Sequence, residues 1–417
     1  MKIGILVAAH DGLQSILTGV GVIVNSFVES FHEIRNKSLF LMKNDIELIC
    51  IAPYIDKSSK DYHPNVREST ISACKKNNGC LIEIPTLSDG SSQQSIWGNP
   101  LQWRNASSSL ATTIMSIEGK YDQIYLFAHD TIFSLARYYL NEFDKVKIVW
   151  IPHSLGKVFE KEHADKERLI IEKDAISSLS KNKGDFIGYI GESFKQTLEN
   201  EYSVKKEKLI PFINEIYLDS KRYHLSIEEK RRIITNYNLP KDKKIIFSWG
   251  RCVPQKGFDL IIPAYRNLLN KYDDYHLVLL MPIETSDNNY ISFIEKELGD
   301  LPSGSVTPIF KFDPCLPYAL LKNKNIDMLI FASRFEGNPL TPIEALSFSR
   351  EAKILYSNIP PLNELLKENE GAIQFELNPP SLYEAMLKAR SLKGLIIRKS
   401  KNSIIDNYAK GLSYLFP

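Results

Sequence analysis

Two cations and two carboxylates in the second half of this chain have the types and the spacing to handle a phosphorylated ligand. Arg251 and Lys256 stand within Ile245 to Ile262, where Gly250 ends one apolar run and Gly257 opens another. A glycine-flanked strand-to-helix loop carrying Arg and Lys can clamp a phosphate, the guanidinium bidentately and the ammonium as a point charge. Glu336 and Glu344 stand within Ser333 to Leu346, after the apolar run Asp327 to Ala332. Gly337-Asn338-Pro339 breaks that run, and Thr341-Pro342 predicts a helix start with Thr341 as N-cap and Pro342 first in the helix. Leu340 and Thr341 would then flank a helix end whose free N–H groups and partial positive charge suit an anion. The carboxylates only accept hydrogen bonds, so the set fits a ligand with a diphosphate and hydroxyl-rich flanks. Taken singly, each signal has a plainer reading: solvated loop cations, a carboxylate favouring the helix dipole, a loop Glu in water.

The elements that hold these residues follow from hydrophobic patterning. Apolar runs predict strands at Lys2 to Val7, Ile46 to Ile51, Cys80 to Ile84, Gln123 to Phe127, Lys147 to Ile151 and Asp185 to Ile190. A second series lies at Ile245 to Trp249, His276 to Met281, Val306 to Phe310, Asp327 to Phe331, Lys353 to Tyr356 and Ala372 to Phe375. Helical segments between them imply parallel sheets with right-handed crossovers. The polar, charged stretch 214–243 reads as a linker. Residues 1–213 then form one domain and 244–395 another, and 396–417 ends in a helix.

With 417 residues, 43% hydrophobic and 24% charged, the chain is globular with ample core material. A net charge of +2 gives no argument for nucleic acid. Five cysteines without a C-x-x-C pair argue against a zinc site or a disulfide scaffold and fit a reducing cytoplasm. The first apolar run is too short for a secretory signal, and no stretch approaches the ~20 residues of a membrane span; peripheral membrane contact stays open.

Gly19 and Gly21 open a helix after the first strand, as in a dinucleotide-binding turn, but Val24 replaces the third glycine. His10 follows the first strand, His129 and His153 end later ones, and strand ends are where open α/β sheets bind ligands. The segment Ser88 to Asn99, with Trp97, reads as a functional loop or an ordinary surface loop. Phe310, followed by Lys311-Phe312, stands at a strand end, and core packing is its plain reading.

Gly250, Arg251, Lys256 and Gly257 match a G-R-x(4)-K-G loop, and Glu336 and Glu344 match a Glu, seven residues, Glu motif. Together, in this order and context, they resemble the retaining glycosyltransferases of family 4. The resemblance implies the GT-B fold: α/β, two Rossmann-like domains whose parallel sheets face a central cleft, the last helix crossing back to the first domain. His153-Ser154-Leu155-Gly156 resembles the sucrose-phosphate synthase-like members, where the His reaches the donor sugar near its 6-hydroxyl. Gly19 and Gly21 match a loop that faces the donor phosphates there.

The implied activity is metal-independent transfer of a sugar, with retention, from a nucleotide-diphosphate donor, UDP by default, to a hydroxyl acceptor. No cofactor is implied. Arg251, Lys256 and the N–H groups after Glu336 would stabilise the leaving diphosphate. Glu336 would hold donor-sugar hydroxyls, Glu344 the ribose, and Phe310, Gly337, Asn338, Pro339, Leu340 and Thr341 would line the donor site. His10, Trp97 and His129 are acceptor-side candidates. A sugar-nucleotide 2-epimerase, a phosphorylase and a non-catalytic nucleotide-sugar binder are the rival readings.

Overall fold

A computed structural model describes residues 1–87, 99–159, 164–283, 288–349, 351–392 and 403–416. The chain divides into two compact units, Met1–Tyr217 with Asn402–Pro417, and Leu218–Lys401.

The first unit is built on β1 (Lys2–Ala8), β2 (Asp45–Pro53), β3 (Leu81–Ile84), β4 (Gln123–His129), β5 (Val146–Ile151), β6 (Phe186–Tyr189) and β7 (Leu209–Pro211). They form one parallel sheet in the order β3-β2-β1-β4-β5-β6-β7. The second unit is built on β8 (Lys244–Trp249), β9 (Tyr275–Leu280), β10 (Val306–Ile309), β11 (Ile326–Phe331), β12 (Lys353–Ser357) and β13 (Ala372–Phe375), in the parallel order β10-β9-β8-β11-β12-β13. The apolar runs of the sequence are these strands, apart from the short β7, which the runs did not mark.

Parallel strands buried on both faces read as near-continuous apolar runs. β8 shows why: Ile246 packs into the core on one face, while Ile245, Phe247 and Trp249 pack into the core on the other. The order of each sheet also reverses once, between β1 and β4 in the first unit and between β8 and β11 in the second. At such a reversal the crossovers leave in opposite directions and open a crevice beyond the strand ends. The loops after β1, β4, β8 and β11 carry most of the residues singled out above.

Residues 214–243 are not a separate linker. Residues 214–217 belong to the first unit and the rest to the second. There the Ile227–Asn236 helix starts with a Ser226–Glu229 capping box and packs on the Leu316–Leu321 helix. Ile233, Ile234 and Tyr237 give this charged stretch an apolar face against the core. Composition suggested a connector; a few well-placed apolar side chains make it part of the unit. The Ile404–Ser413 helix belongs to the first unit, where buried Tyr408 packs on Phe27 and Phe212 at centroid distances of 4.6 and 5.1 Å.

Candidate active site

In the second unit, two loops at the reversal point are locked back to back. Gly257 ends the loop after β8 with φ +70, and a Cβ there would lie 2.1 Å from the Ala332 carbonyl oxygen. Only glycine lets the two backbones approach so closely. The Arg334 N–H donates to the Gln255 carbonyl at 2.8 Å, and the Gln255 amide donates to the Phe335 carbonyl at 2.9 Å. The Arg334 guanidinium also grips Asp259, in the first turn of the Phe258–Leu269 helix, at 3.0 and 2.6 Å.

This lock sets Lys256 against Glu336. The ammonium donates to Glu336 Oε1, and the two side chains keep only 17% and 8% of their surface exposed. The Ser333 hydroxyl donates to the same oxygen at 2.7 Å. Gly250, at φ +156, lies under the Lys256 chain, where a Cβ would stand 3.2 Å from Cδ. Arg251, half-buried on the same loop, makes no ion pair or side-chain hydrogen bond with a described residue.

The Leu340–Phe348 helix begins two residues earlier than the sequence suggested. Pro339 is its N-cap and makes no side-chain cap, so Thr341 and Pro342 lie inside the first turn. The Thr-Pro pair is a start signal at either register, and the extended Pro339 (φ −71, ψ 138) decides it. Pro339 offers no side chain to the N–H groups of Leu340 and Thr341, and among the described residues no side chain caps this helix end. Gly337, Asn338 and Pro339 are buried behind it.

Glu344 is buried at 6% exposure, and the Tyr318 hydroxyl donates to its Oε1 at 2.7 Å. Burial pushes its carboxyl above the usual range, against hydrogen bonds from Tyr318 and Trp249 and the charge of Arg222. Neither Glu presents a bare negative charge at the helix end: Glu336 is neutralised by Lys256, and Glu344 lies under Tyr318. The repulsion that two acidic residues would cause a diphosphate is removed in this way. Phe310 is half-buried and packs against the core, and its carbonyl accepts from the Ile283 N–H at 3.1 Å.

In the first unit the loop after β1 is wound around one carboxylate. Asp11, 1% exposed, accepts from the N–H groups of Gly12, Leu17 and Thr18 at 3.0, 3.0 and 2.9 Å and from the Thr18 hydroxyl at 2.8 Å. Thr18 caps the Gly19–Asn36 helix. A Cβ on Gly21 would lie 2.5 Å from the Asp11 carboxylate. The space beside Gly21 is thus filled by the Asp11 carboxylate, and Gly19 is exposed at the helix start.

Beyond β4 and β5 lies a histidine pair. His129 Nδ1 and His153 Nε2 are 3.0 Å apart, and the rings stack at 12° with centroids 5.3 Å apart. His10 is near enough for its charge to disfavour theirs. Next to His129, Asp130 has φ 63 and ψ 179, a conformation that costs a non-glycine residue about 1–3 kcal/mol. Its Oδ1 accepts from the Thr131 N–H at 2.9 Å, while Oδ2 is buried with no hydrogen-bond partner among the described residues. The HSLG segment is held by buried groups. Arg168 donates to the Ser154 hydroxyl at 2.9 Å, and Glu172 accepts from the Gly156 N–H at 3.0 Å and from Arg168 at 2.8 Å. Asp130 was not singled out from the sequence; its place at the end of β4, beside the sheet's reversal point, was the available signal. Trp97 lies outside the described residues, as do residues 88–98 of its loop.

Burial pulls His153 down to about 4, with His10 adding to the effect and Asp130 opposing it. Burial also holds His129 well below its ordinary range, reinforced by His153 and His10. Both are lower folded than unfolded, so the unfolded chain takes up protons first as pH falls. The stability of the first unit is full above about pH 6.5 and falls as pH drops toward 4. The His153 contribution alone should be about 2 kcal/mol between pH 7.5 and 5. Urea melts across that range should show a shallower pH dependence in His153→Gln; an unchanged slope would refute the buried neutral histidine.

Residues 229–410 match the family described as Glycosyl transferases group 1. A search of curated proteins found no match to the chain. Among solved structures, a sucrose-phosphate synthase from Thermosynechococcus elongatus aligns with TM-score 0.68 at 14% identity, covering 99% of this chain and 94% of that one. The catalytic domain of starch synthase IV from Arabidopsis thaliana, bound to ADP and acarbose, aligns with TM-score 0.66 at 15% identity, covering 98% and 95%. A UDP-forming trehalose-phosphate synthase from Burkholderia xenovorans, in complex with glucose-6-phosphate, aligns with TM-score 0.63 at 12% identity, covering 99% and 96%. These likenesses show the fold, which is GT-B.

Proposed function

We propose that this chain, a glycosyltransferase of the GT-B fold, is a retaining enzyme of the family 4 type that moves a sugar from a UDP-linked donor to a hydroxyl. One observation carries the reading: Lys256 and Glu336 are paired across the reversal point of the second sheet, beside a helix end with no side-chain cap. Arg251, Lys256 and the N–H groups of Leu340 and Thr341 form a preorganised positive field for the departing diphosphate. Charge grows on that group as the glycosidic bond stretches, and fixed donors aimed at growing charge are usually the largest catalytic term. Glu336, in contact with Lys256, takes hydroxyls of the sugar being transferred, and Glu344 takes the ribose. Gly250, Phe310, Gly337, Asn338 and Pro339 complete the donor site.

No residue is assigned as a covalent nucleophile. A leaving phosphate oxygen accepts the proton of the attacking hydroxyl on the same face. In the first unit His153 binds a hydroxyl of the transferred sugar, His10 and Trp97 belong to the acceptor side, and His129, fully buried, stands behind His153. A sugar or sugar phosphate is a reasonable acceptor class, since the Burkholderia structure was solved with glucose-6-phosphate. The cations supply the charge that a metal ion would otherwise carry, so transfer is expected to survive a chelator. All five cysteines are free thiols, which supports a cytoplasmic setting. Among the described residues no helix is long and apolar enough to cross a membrane.

The test uses labelled nucleotide sugars with and without candidate acceptors, in chelator, reading free nucleotide, product and anomeric configuration. An inverted product, or turnover of donor to an isomer without acceptor, would overturn the assignment. Glu344→Gln keeps the side chain's volume and removes its charge. It should weaken UDP binding by roughly 10- to 150-fold, the value of a hydrogen bond to a charged group, with a smaller effect on kcat. Unchanged UDP affinity by calorimetry would remove the ribose role.

A further inference from the structure

We propose that His129 is a positioning residue that fixes the tautomer of His153, so that His153 meets its ligand as a hydrogen-bond donor through Nδ1. The catalytic half of this inference rests on the reading of His153 given above; the tautomer itself does not. The two rings touch through His129 Nδ1 and His153 Nε2 at 3.0 Å. His129 is fully buried and His153 is 8% exposed. Both rings are held neutral by burial, so one of these nitrogens carries a proton and the other a lone pair.

The other nitrogen of His129 decides between the two arrangements. Nε2 is buried with no hydrogen-bond partner among the described residues, and the ring lies near Phe27, with centroids 6.3 Å apart. If His153 donated, the His129 proton would sit on Nε2 as a buried donor without an acceptor, the rarer and costlier kind of orphan. If His129 donates through Nδ1, Nε2 holds only a lone pair. His153 is then left with its proton on Nδ1, the nitrogen that His129 does not occupy. That gives the ring a fixed polarity: it donates to a hydroxyl oxygen and cannot accept from one. The opposite tautomer of His153, with its proton on Nε2, would set N–H against the N–H of His129.

Nitrogen-15 NMR of the full-length protein labelled at histidine reads the tautomer directly, with His153→Gln giving the assignment. We expect His153 protonated at Nδ1 and bare at Nε2; the reverse pattern would overturn the proposal. Two variants separate positioning from packing. His129→Asn keeps an N–H donor near the place of Nδ1, and His129→Leu has none. His129→Leu should lose roughly 100-fold in kcat with UDP affinity unchanged, as expected for a misplaced group, whereas His129→Asn should stay within about tenfold of wild type. Equal losses in both variants would assign His129 to packing alone. Failure to find transfer with any donor would count against the function proposed for the chain, while the NMR result would still decide the tautomer.

Discussion

Lys256→Ala should lower kcat/KM by roughly 30- to 1,000-fold, the ~2–4 kcal/mol associated with one preorganised donor to growing charge. Arg251→Ala should fall in the same range. The two differ in their effect on the fold. Arg251 makes no ion pair or side-chain hydrogen bond with a described residue, so its loss should leave stability close to wild type. Lys256 neutralises Glu336, which is 8% exposed and otherwise receives hydrogen bonds from Ser333 and Gln255. Its removal strands a nearly buried carboxylate and should cost about 1–3 kcal/mol of stability. Glu336→Gln in the Lys256→Ala background should recover the stability and none of the activity. Near-wild-type turnover in both single variants would remove the clamp from the account. Activity restored along with stability would reduce the pair to a structural one.

Gly257→Ala should be the most damaging single-methyl change in the second unit's site. The residue sits at φ +70, and the added carbon would lie 2.1 Å from the Ala332 carbonyl oxygen. Backbone strain and overpacking together should cost about 2–6 kcal/mol, roughly a 5–20 °C fall in melting temperature for a unit of this size. Gly304→Ala is the control. Gly304 has φ +74 with nothing within 4 Å of a Cβ, so it carries the strain without the clash. Calorimetry should place Gly257→Ala well below Gly304→Ala. Equal melting temperatures would mean that the close approach of the two loops contributes nothing. Because the same approach sets Lys256 on Glu336, any folded Gly257→Ala protein should also lose turnover.

Much of this was legible in the chain. Every strand that carries the site was marked by an apolar run, because a parallel strand covered on both faces has no polar alternation to hide it. Gly250, Arg251, Lys256 and Gly257 announced a loop, and Gly337 to Pro342 a loop and a helix start, because glycine, proline and N-terminal helix signals act within a few residues. The exact helix start was not legible, since Pro339 and Thr341-Pro342 offer competing first turns. The stretch 214–243 was misread because its charge outweighs Ile233, Ile234 and Tyr237 in composition, while in packing those three decide.

What the sequence determined by itself was local: which segments are buried, where the chain turns, and which residue types stand at the strand ends. The tertiary structure alone decided which of them meet. The Lys256–Glu336 pair spans 80 residues and the His129–His153 pair 24, and both depend on strand order, which no local spacing encodes. Gly21 makes the same point in reverse. A glycine at a helix start leaves room for any close neighbour, and only the folded loop shows that Asp11 fills that room. Burial pattern is a property of each segment, but contact is a property of the order in which crossovers lay the segments side by side.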